Sequence, residues 1–165
     1  MKFLLPIGFL LISLSACKYF QKKNNNPVTP EEERIRMMDA DRAFSKLSSE
    51  IGMKKAFLEY IDSNGILLRP NQLPLVGGDA IDFLTQLNDT TFTLTWNPKN
   101  GRIAQSGELG FTYGIYSLKP GKEDTVLYGT YVSIWKKQID GKWKFVLDTG
   151  NDGIGLEQES ETAEQ

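Results

Sequence analysis

Histidine is absent from the 165 residues, and cysteine occurs once, at Cys17. Without imidazole the chain has no Ser-His-Asp or Cys-His nucleophile machinery and no His-ligated zinc, and with a single thiol it closes no intramolecular disulfide. Any proton transfer must run on Asp, Glu, Lys, Tyr or Ser. A positive excess is also missing: 19 Lys and Arg stand against 21 Asp and Glu, a formal net charge of −2. Nucleic-acid binding rests on a concentrated basic surface, so no nucleic-acid partner is expected. Hydrophobic residues at 40% and charged residues at 24% suit an ordinary globular chain, and the length suffices for one domain with a real core. Neither a metal nor a cofactor is expected.

Long apolar runs are lacking except at the start. After Lys2, residues 3–16 are almost continuously apolar, broken only by Pro6, Gly8 and two serines. A spanning helix needs about 20 apolar residues for roughly 30 Å of hydrocarbon. This run is shorter, and Lys18, Lys22 and Lys23 follow it, so it reads as the apolar region of a signal peptide. Its end, Leu14-Ser15-Ala16-Cys17, resembles the lipobox of the bacterial lipoprotein pathway. The small residues at 15 and 16 suit an extended chain entering a peptidase. The resemblance implies that Cys17 becomes the first mature residue and carries a diacylglycerol thioether. The alternative is a non-lipidated signal with a coincidental cysteine. At roughly 0.8 kcal/mol per buried methylene, two or three acyl chains give stable attachment to a membrane. The expectation is therefore a signal peptide over 1–16, a lipidated Asn-rich tether over 17–28, and a location in the bacterial cell envelope, periplasmic or surface-exposed.

The domain begins at Thr29. Thr at the N-cap, Pro30 at the first helical position and Glu32 completing a capping box predict a helix start. Met37, Ala40, Phe44, Leu47 and Ile51 then form one apolar stripe, with Gly52 as its end. Residues 54–61 predict a second helix burying Phe57, Tyr60 and Ile61, closed by a turn at Asp62-Ser63-Asn64-Gly65. A short strand is expected at 66–68, irregular chain past Pro70 and Pro74, and a third helix from Gly77 through Leu87. From Thr91 the composition turns to β-branched and aromatic residues. Strands are predicted at 91–96, 102–106, 109–118, 125–137 and 142–149, separated by Asn100-Gly101, Gly107, Pro120-Gly121 and a two-residue hairpin turn at Asp140-Gly141. Helices followed by antiparallel strands give an α+β domain over 29–151. Glycines at 107, 110, 114 and 129 interrupt the strands and suit a strongly curved sheet, which leaves a hollow. The acidic stretch 152–165, with Glu157, Glu159, Glu161 and Glu164, reads as a disordered tail.

Four stretches resemble the SnoaL-like branch of the nuclear transport factor 2-like superfamily, in particular a bacterial domain family of unknown function. They are residues 40–45, residues 62–70 leading to Gly77, residues 106–114, and residues 129–135 followed by 140–144. The resemblance implies a cone: N-terminal helices packed on a curved antiparallel sheet, a pocket between them, and a homodimer through the sheet. It does not fix a function, because this fold hosts isomerases, cyclases, dehydratases and binding modules. A His-Asp dyad, found in some of its enzymes, is excluded here.

Candidate site residues follow from chemistry and alternation. On the strand 127–135, Tyr131, Ser133 and Trp135 share one face, while Tyr128, Thr130, Val132 and Ile134 share the other. Which face meets the helices is open. Tyr60, Trp96, Tyr113, Tyr131 and Trp135 each supply apolar area and a polar tip, as pocket wall or as core. Arg69 suits either an anionic ligand or a structural acid. Asp148, late in an apolar strand, is the first candidate base: pointing inward it is desolvated and suited to proton transfer, pointing outward it is a strand-end charge. Asp62 is the second, with turn formation as its alternative role. The competing functions are binding of a small apolar or aromatic ligand or of a partner protein, a cavity enzyme of ketosteroid-isomerase-like type with an Asp base and Tyr donors, and a scaffold or dimerisation module.

Overall fold

A computed structural model describes residues 28–121 and 125–154. The signal segment, Cys17, all of the tether before Val28 and the tail beyond Ile154 lie outside the described residues. Helix α1 (Pro30–Ile51) starts as its sequence demands: Thr29 accepts from the Glu32 N–H while the Glu32 carboxylate accepts from the Thr29 N–H at 2.8 Å. Gly52, at φ 93°, ends it, and α2 (Met53–Tyr60) follows directly. Strand β1 (Ile61–Leu68), the two-residue β2 (Leu75–Val76) and α3 (Gly78–Gln86) come next. Four long strands complete the domain: β3 (Phe92–Ile103), β4 (Leu109–Pro120), β5 (Leu127–Lys137) and β6 (Trp143–Asp152).

The sheet order is β2-β1-β6-β5-β4-β3. Strands β3 to β6 form an antiparallel meander, but β1 lies parallel to β6, pairing Leu67 with Asp148 and Leu68 with Thr149. The sheet is therefore mixed, not purely antiparallel. That pairing joins segments some eighty residues apart, and no hairpin signal announces it. It makes the fold close, because β1 carries the chain from the helices to the far side of the meander.

Several local expectations change. Asn100-Gly101 does not separate two strands: β3 runs through it, with a register irregularity between Pro98 and Asn100. A proline inside a strand is tolerated because β3 is an edge and the bulge absorbs it. Helix α1 covers that edge: Ser45 accepts from the Trp96 N–H and donates to the Trp96 carbonyl, and Ser48 donates to the Leu94 carbonyl, at 2.7–2.8 Å. Asp62-Ser63-Asn64-Gly65 falls within β1 as an irregularity between Ile61 and Ile66. At Asp140-Gly141 the connection is longer than two residues: Gln138 and Lys142 still bond across it, and Gly141, at φ 84°, takes the left-handed position. Strand β6 continues past Thr149 to Asp152, and α3 stops at Gln86, one residue before Leu87.

The core sits between α1, α2, α3 and the concave face of the sheet. Phe44 is its hub, with ring centroids 4.5–6.1 Å from Trp96, Phe57, Tyr60, Phe145 and Trp135. Met37, Leu67, Leu84, Trp135 and Phe145 are fully buried around it. No helix among the described residues is long and apolar enough to cross a membrane.

Candidate functional site

Strand register fixes how deep each inward side chain lies. Starting from the filled core, Trp135 pairs with Phe145, the next inward row is Thr112, Ser133 and Asp148, then Gly114, Tyr131 and Gly150, then Tyr116, Gly129 and Asp152. Leu118 and Leu127 form the last. Moving outward, the large side chains give way to glycines, so less of the space between sheet and helices is filled. An open hollow of about 280 Å³ results, walled by Phe57, Phe83, Leu87, Leu94, Trp96 and Leu118, among others. Its walls are chiefly apolar, with a few polar groups at the inner end, as small-molecule pockets are built.

The first of these polar groups is an ion pair. Asp148 points inward, and its carboxylate accepts from Arg69 Nη2 and from the Ser133 hydroxyl, both at 2.8 Å. Arg69 also donates to the Leu68 and Asp148 carbonyls and lies 5.8 Å from the centre of the Phe57 ring. Both side chains are largely buried, at 18% and 11% exposure. Asp148 is thus desolvated but neutralised, and both of its oxygens are engaged. It is not a free base.

The second is Asp41, fully buried on α1. It accepts from the Trp96 indole N–H at 2.7 Å and from the Tyr131 hydroxyl at 2.8 Å, and the Thr112 hydroxyl is a further partner. Among the described residues no cation pairs with it. Burial therefore pushes its carboxyl above the usual carboxylate range, against the three hydrogen bonds and in concert with the nearby Asp148. Burial and the adjacent Asp41 likewise push the Tyr131 phenol well above its ordinary value, so it stays a neutral donor. The indole and phenol rings that line the hollow are locked from behind by this carboxylate.

At the mouth, the Tyr116 hydroxyl donates to Asp152 at 2.6 Å. Burial and that carboxylate push the Tyr116 phenol up to about 12. Its ring lies over Gly129, where a Cβ would collide with it.

The candidates singled out from sequence divide three ways. Arg69, Trp96, Tyr131 and Asp148 come together around the hollow. Tyr60 stacks on Phe44, and Trp135 is fully buried with its indole N–H on Thr112 at 2.8 Å, so both serve the core. Tyr113 is on the convex face, 46% exposed. Alternation along β4 puts Phe111 and Ile115 on the same face, and the helices cover the other one. Asp62 lies away from the hollow: it accepts from the Asn64 N–H and from Gln138, and that backbone bond foremost holds its carboxyl below the usual range. It shapes the irregularity within β1. Sequence reasoning missed Asp41, although it falls in the stretch that carried the resemblance. Its only signal was an acid one position from the apolar stripe of α1.

No protein-family model matches the sequence, and no curated protein matches it. Solved structures do. A ketosteroid isomerase-like protein from Erwinia carotovora atroseptica superposes with a TM-score of 0.60 at 14% identity, over 75% of this chain and 98% of that one. A nuclear transport factor 2-like superfamily protein from Salmonella enterica gives 0.58 at 10% identity, over 76% and 94%. A nuclear transport factor 2-like protein with a cystatin-like fold, from Novosphingobium aromaticivorans, gives 0.59 at 12% identity, over 78% and 86%. The fold is the nuclear transport factor 2-like cone, three helices on a curved six-stranded mixed sheet. At these identities the likeness extends to the fold alone.

Proposed function

We propose that this chain is a lipid-anchored envelope protein whose cone-shaped domain binds a small, largely apolar ligand and carries out no reaction on it. The observation that carries the reading is the open hollow with apolar walls, whose polar groups already satisfy one another. Catalysis of the ketosteroid-isomerase type needs a carboxylate that faces the ligand and is free to take a proton. Asp148 is tied to Arg69 and Ser133, Asp41 is sealed behind Trp96 and Tyr131, and Asp152 at the mouth is held by the Tyr116 hydroxyl. Trp96 makes binding measurable, since a ligand in the hollow touches its indole. Titration of an apolar probe should change tryptophan emission saturably, and Trp96→Phe should abolish most of that change. An emission response that never saturates would sink the binding reading.

The anchor rests on Leu14-Ser15-Ala16-Cys17 at the end of the apolar leader. Metabolic labelling with a fatty-acid probe should mark the wild type and leave Cys17→Ser unmarked. Equal labelling of both would remove the anchor from the proposal.

A second copy is the partner proposed for the convex face. Phe111 pairs with Ile134, Tyr113 with Val132, and Ile134 with Leu147, which gives a contiguous apolar surface across three strands. Phe111 and Tyr113 are 37% and 46% exposed. A surface of this kind marks an interaction site. Sedimentation should report a dimer that Phe111→Lys converts to monomer with folding intact; a monomeric wild type would discard this partner.

A further inference from the structure

The hollow does not end at its mouth. Tyr116, Leu118 and Asp152 line it, and the same three residues line a second, larger groove of about 700 Å³ that continues outward. The far walls of the groove are Val126, Leu127, Tyr128 and Ile154. Leu127, Tyr128 and Ile154 are 54%, 48% and 37% exposed, so among the described residues apolar surface clusters where β6 ends at Asp152 beside the start of β5. The Tyr116–Asp152 pair, with the Tyr116 ring seated against Gly129 and Gly150, and Leu118 border both spaces.

We infer that hollow and groove form one continuous tract for a linear amphiphile, with an uncharged polar head at the inner end beside Arg69 and Asp148 and an aliphatic chain passing Tyr116 into the groove. The inference rests on the reading of the hollow as a ligand site and deepens it by naming the ligand class. The polarity runs the right way. The inner end holds the Arg69–Asp148 pair, with the Tyr131 side chain beside it, and everything outward of Tyr116 except Thr125 and Asp152 is chiefly apolar. The head is uncharged because Arg69 is already neutralised by Asp148, and a carboxylate head would face Asp148 at one end and pass Asp152 at the other. Length follows from volume. At about 30 Å³ for a water-sized group, the hollow holds roughly nine such groups, so a longer chain must enter the groove.

A series of straight-chain alcohols tests this on the full-length chain carrying Cys17→Ser, so that no attached lipid competes. Octanol fits within the hollow, whereas dodecanol and tetradecanol do not. Affinity should keep rising beyond octanol, by up to about fourfold for each added methylene that is buried. Leu127→Glu places a charge in the groove at an exposed position that does not line the hollow. It should leave octanol affinity unchanged and remove most of the gain for dodecanol and tetradecanol, and comparison of the two proteins cancels any non-specific uptake. A plateau beyond octanol in the parent protein, or a chain-length gain that Leu127→Glu does not touch, overturns the tract while the hollow stands. Absence of saturable octanol binding overturns the hollow itself. Dodecanoate should bind more weakly than dodecanol, and equal or tighter binding overturns the uncharged head.

Discussion

The two ends of the cone are built from the same four strands and differ in what their inward positions carry. At the closed end, Trp135, Trp143 and Phe145 meet Phe44 and Met37, and the volume is full. At the open end the inward positions include Gly114, Gly129 and Gly150, alongside the large side chains Trp96, Tyr116 and Tyr131. Where side-chain volume is withheld, a cavity appears, because interiors elsewhere pack to the density of organic crystals. The packed core therefore belongs to one end and the hollow to the other.

That division can be broken most sharply at Phe44. Phe44→Ala removes the ring on which five aromatic neighbours rest and should lower unfolding free energy by about 3–5 kcal/mol in a urea titration. A loss below about 1 kcal/mol would mean the closed end is not what holds the fold. Next comes the ion pair at the boundary between the ends. Arg69→Ala strands the mostly buried Asp148 carboxylate and should cost about 3 kcal/mol, whereas Arg69→Met combined with Asp148→Leu should recover most of it, since no unpaired charge remains. A double variant as weak as the single one would show that the pair itself, not its balance, stabilises the site.

Asp41 sharpens the comparison through pH. Its carboxyl is raised in the folded protein above the ordinary value of 3.8, so the folded state holds a proton that the unfolded state has released. Stability from this group is complete below the unfolded value and is lost as pH rises from about 4 through the folded value, with a slope of up to about 1.4 kcal/mol per unit. Asp41→Asn imitates the protonated form, and chemical unfolding at a series of pH values should lose that part of the slope. An unchanged slope would assign it to other groups. The smallest effect belongs to the open end: Leu118→Ala, at a half-buried wall position, enlarges a space that is already open and should cost about 1 kcal/mol while weakening apolar probes. A cost equal to that of Phe44→Ala would erase the distinction between the ends.

Much of this was legible beforehand. The Thr29–Glu32 capping box, the apolar stripe from Met37 to Ile51, the turn glycines 107 and 141 and the alternation along β5 are local signals, and local signals read directly. Arg69, Trp96, Tyr131 and Asp148 were also identified as candidates and came together around one hollow. Tyr60, Tyr113, Trp135 and Asp62 were not separable from them, because a phenol, an indole or a carboxylate has the same sequence signature whether it faces a cavity, the core or the solvent.

The sequence by itself determined the order of helices before sheet, the capping, the absence of imidazole and disulfide chemistry, and the glycines that thin the open end, but neither β2 nor the unbroken run of β3. Tertiary structure alone decided the parallel seating of β1 beside β6, the pairing of Arg69 with Asp148, and the choice of sheet face covered by α1. It also turned Asp41 from an unremarked helix residue into the buried anchor of Trp96 and Tyr131. The physical reason is range. Caps, turns and alternation are set by neighbours a few residues away, while burial and charge compensation are set by groups fifty to ninety residues distant that meet only when the cone closes.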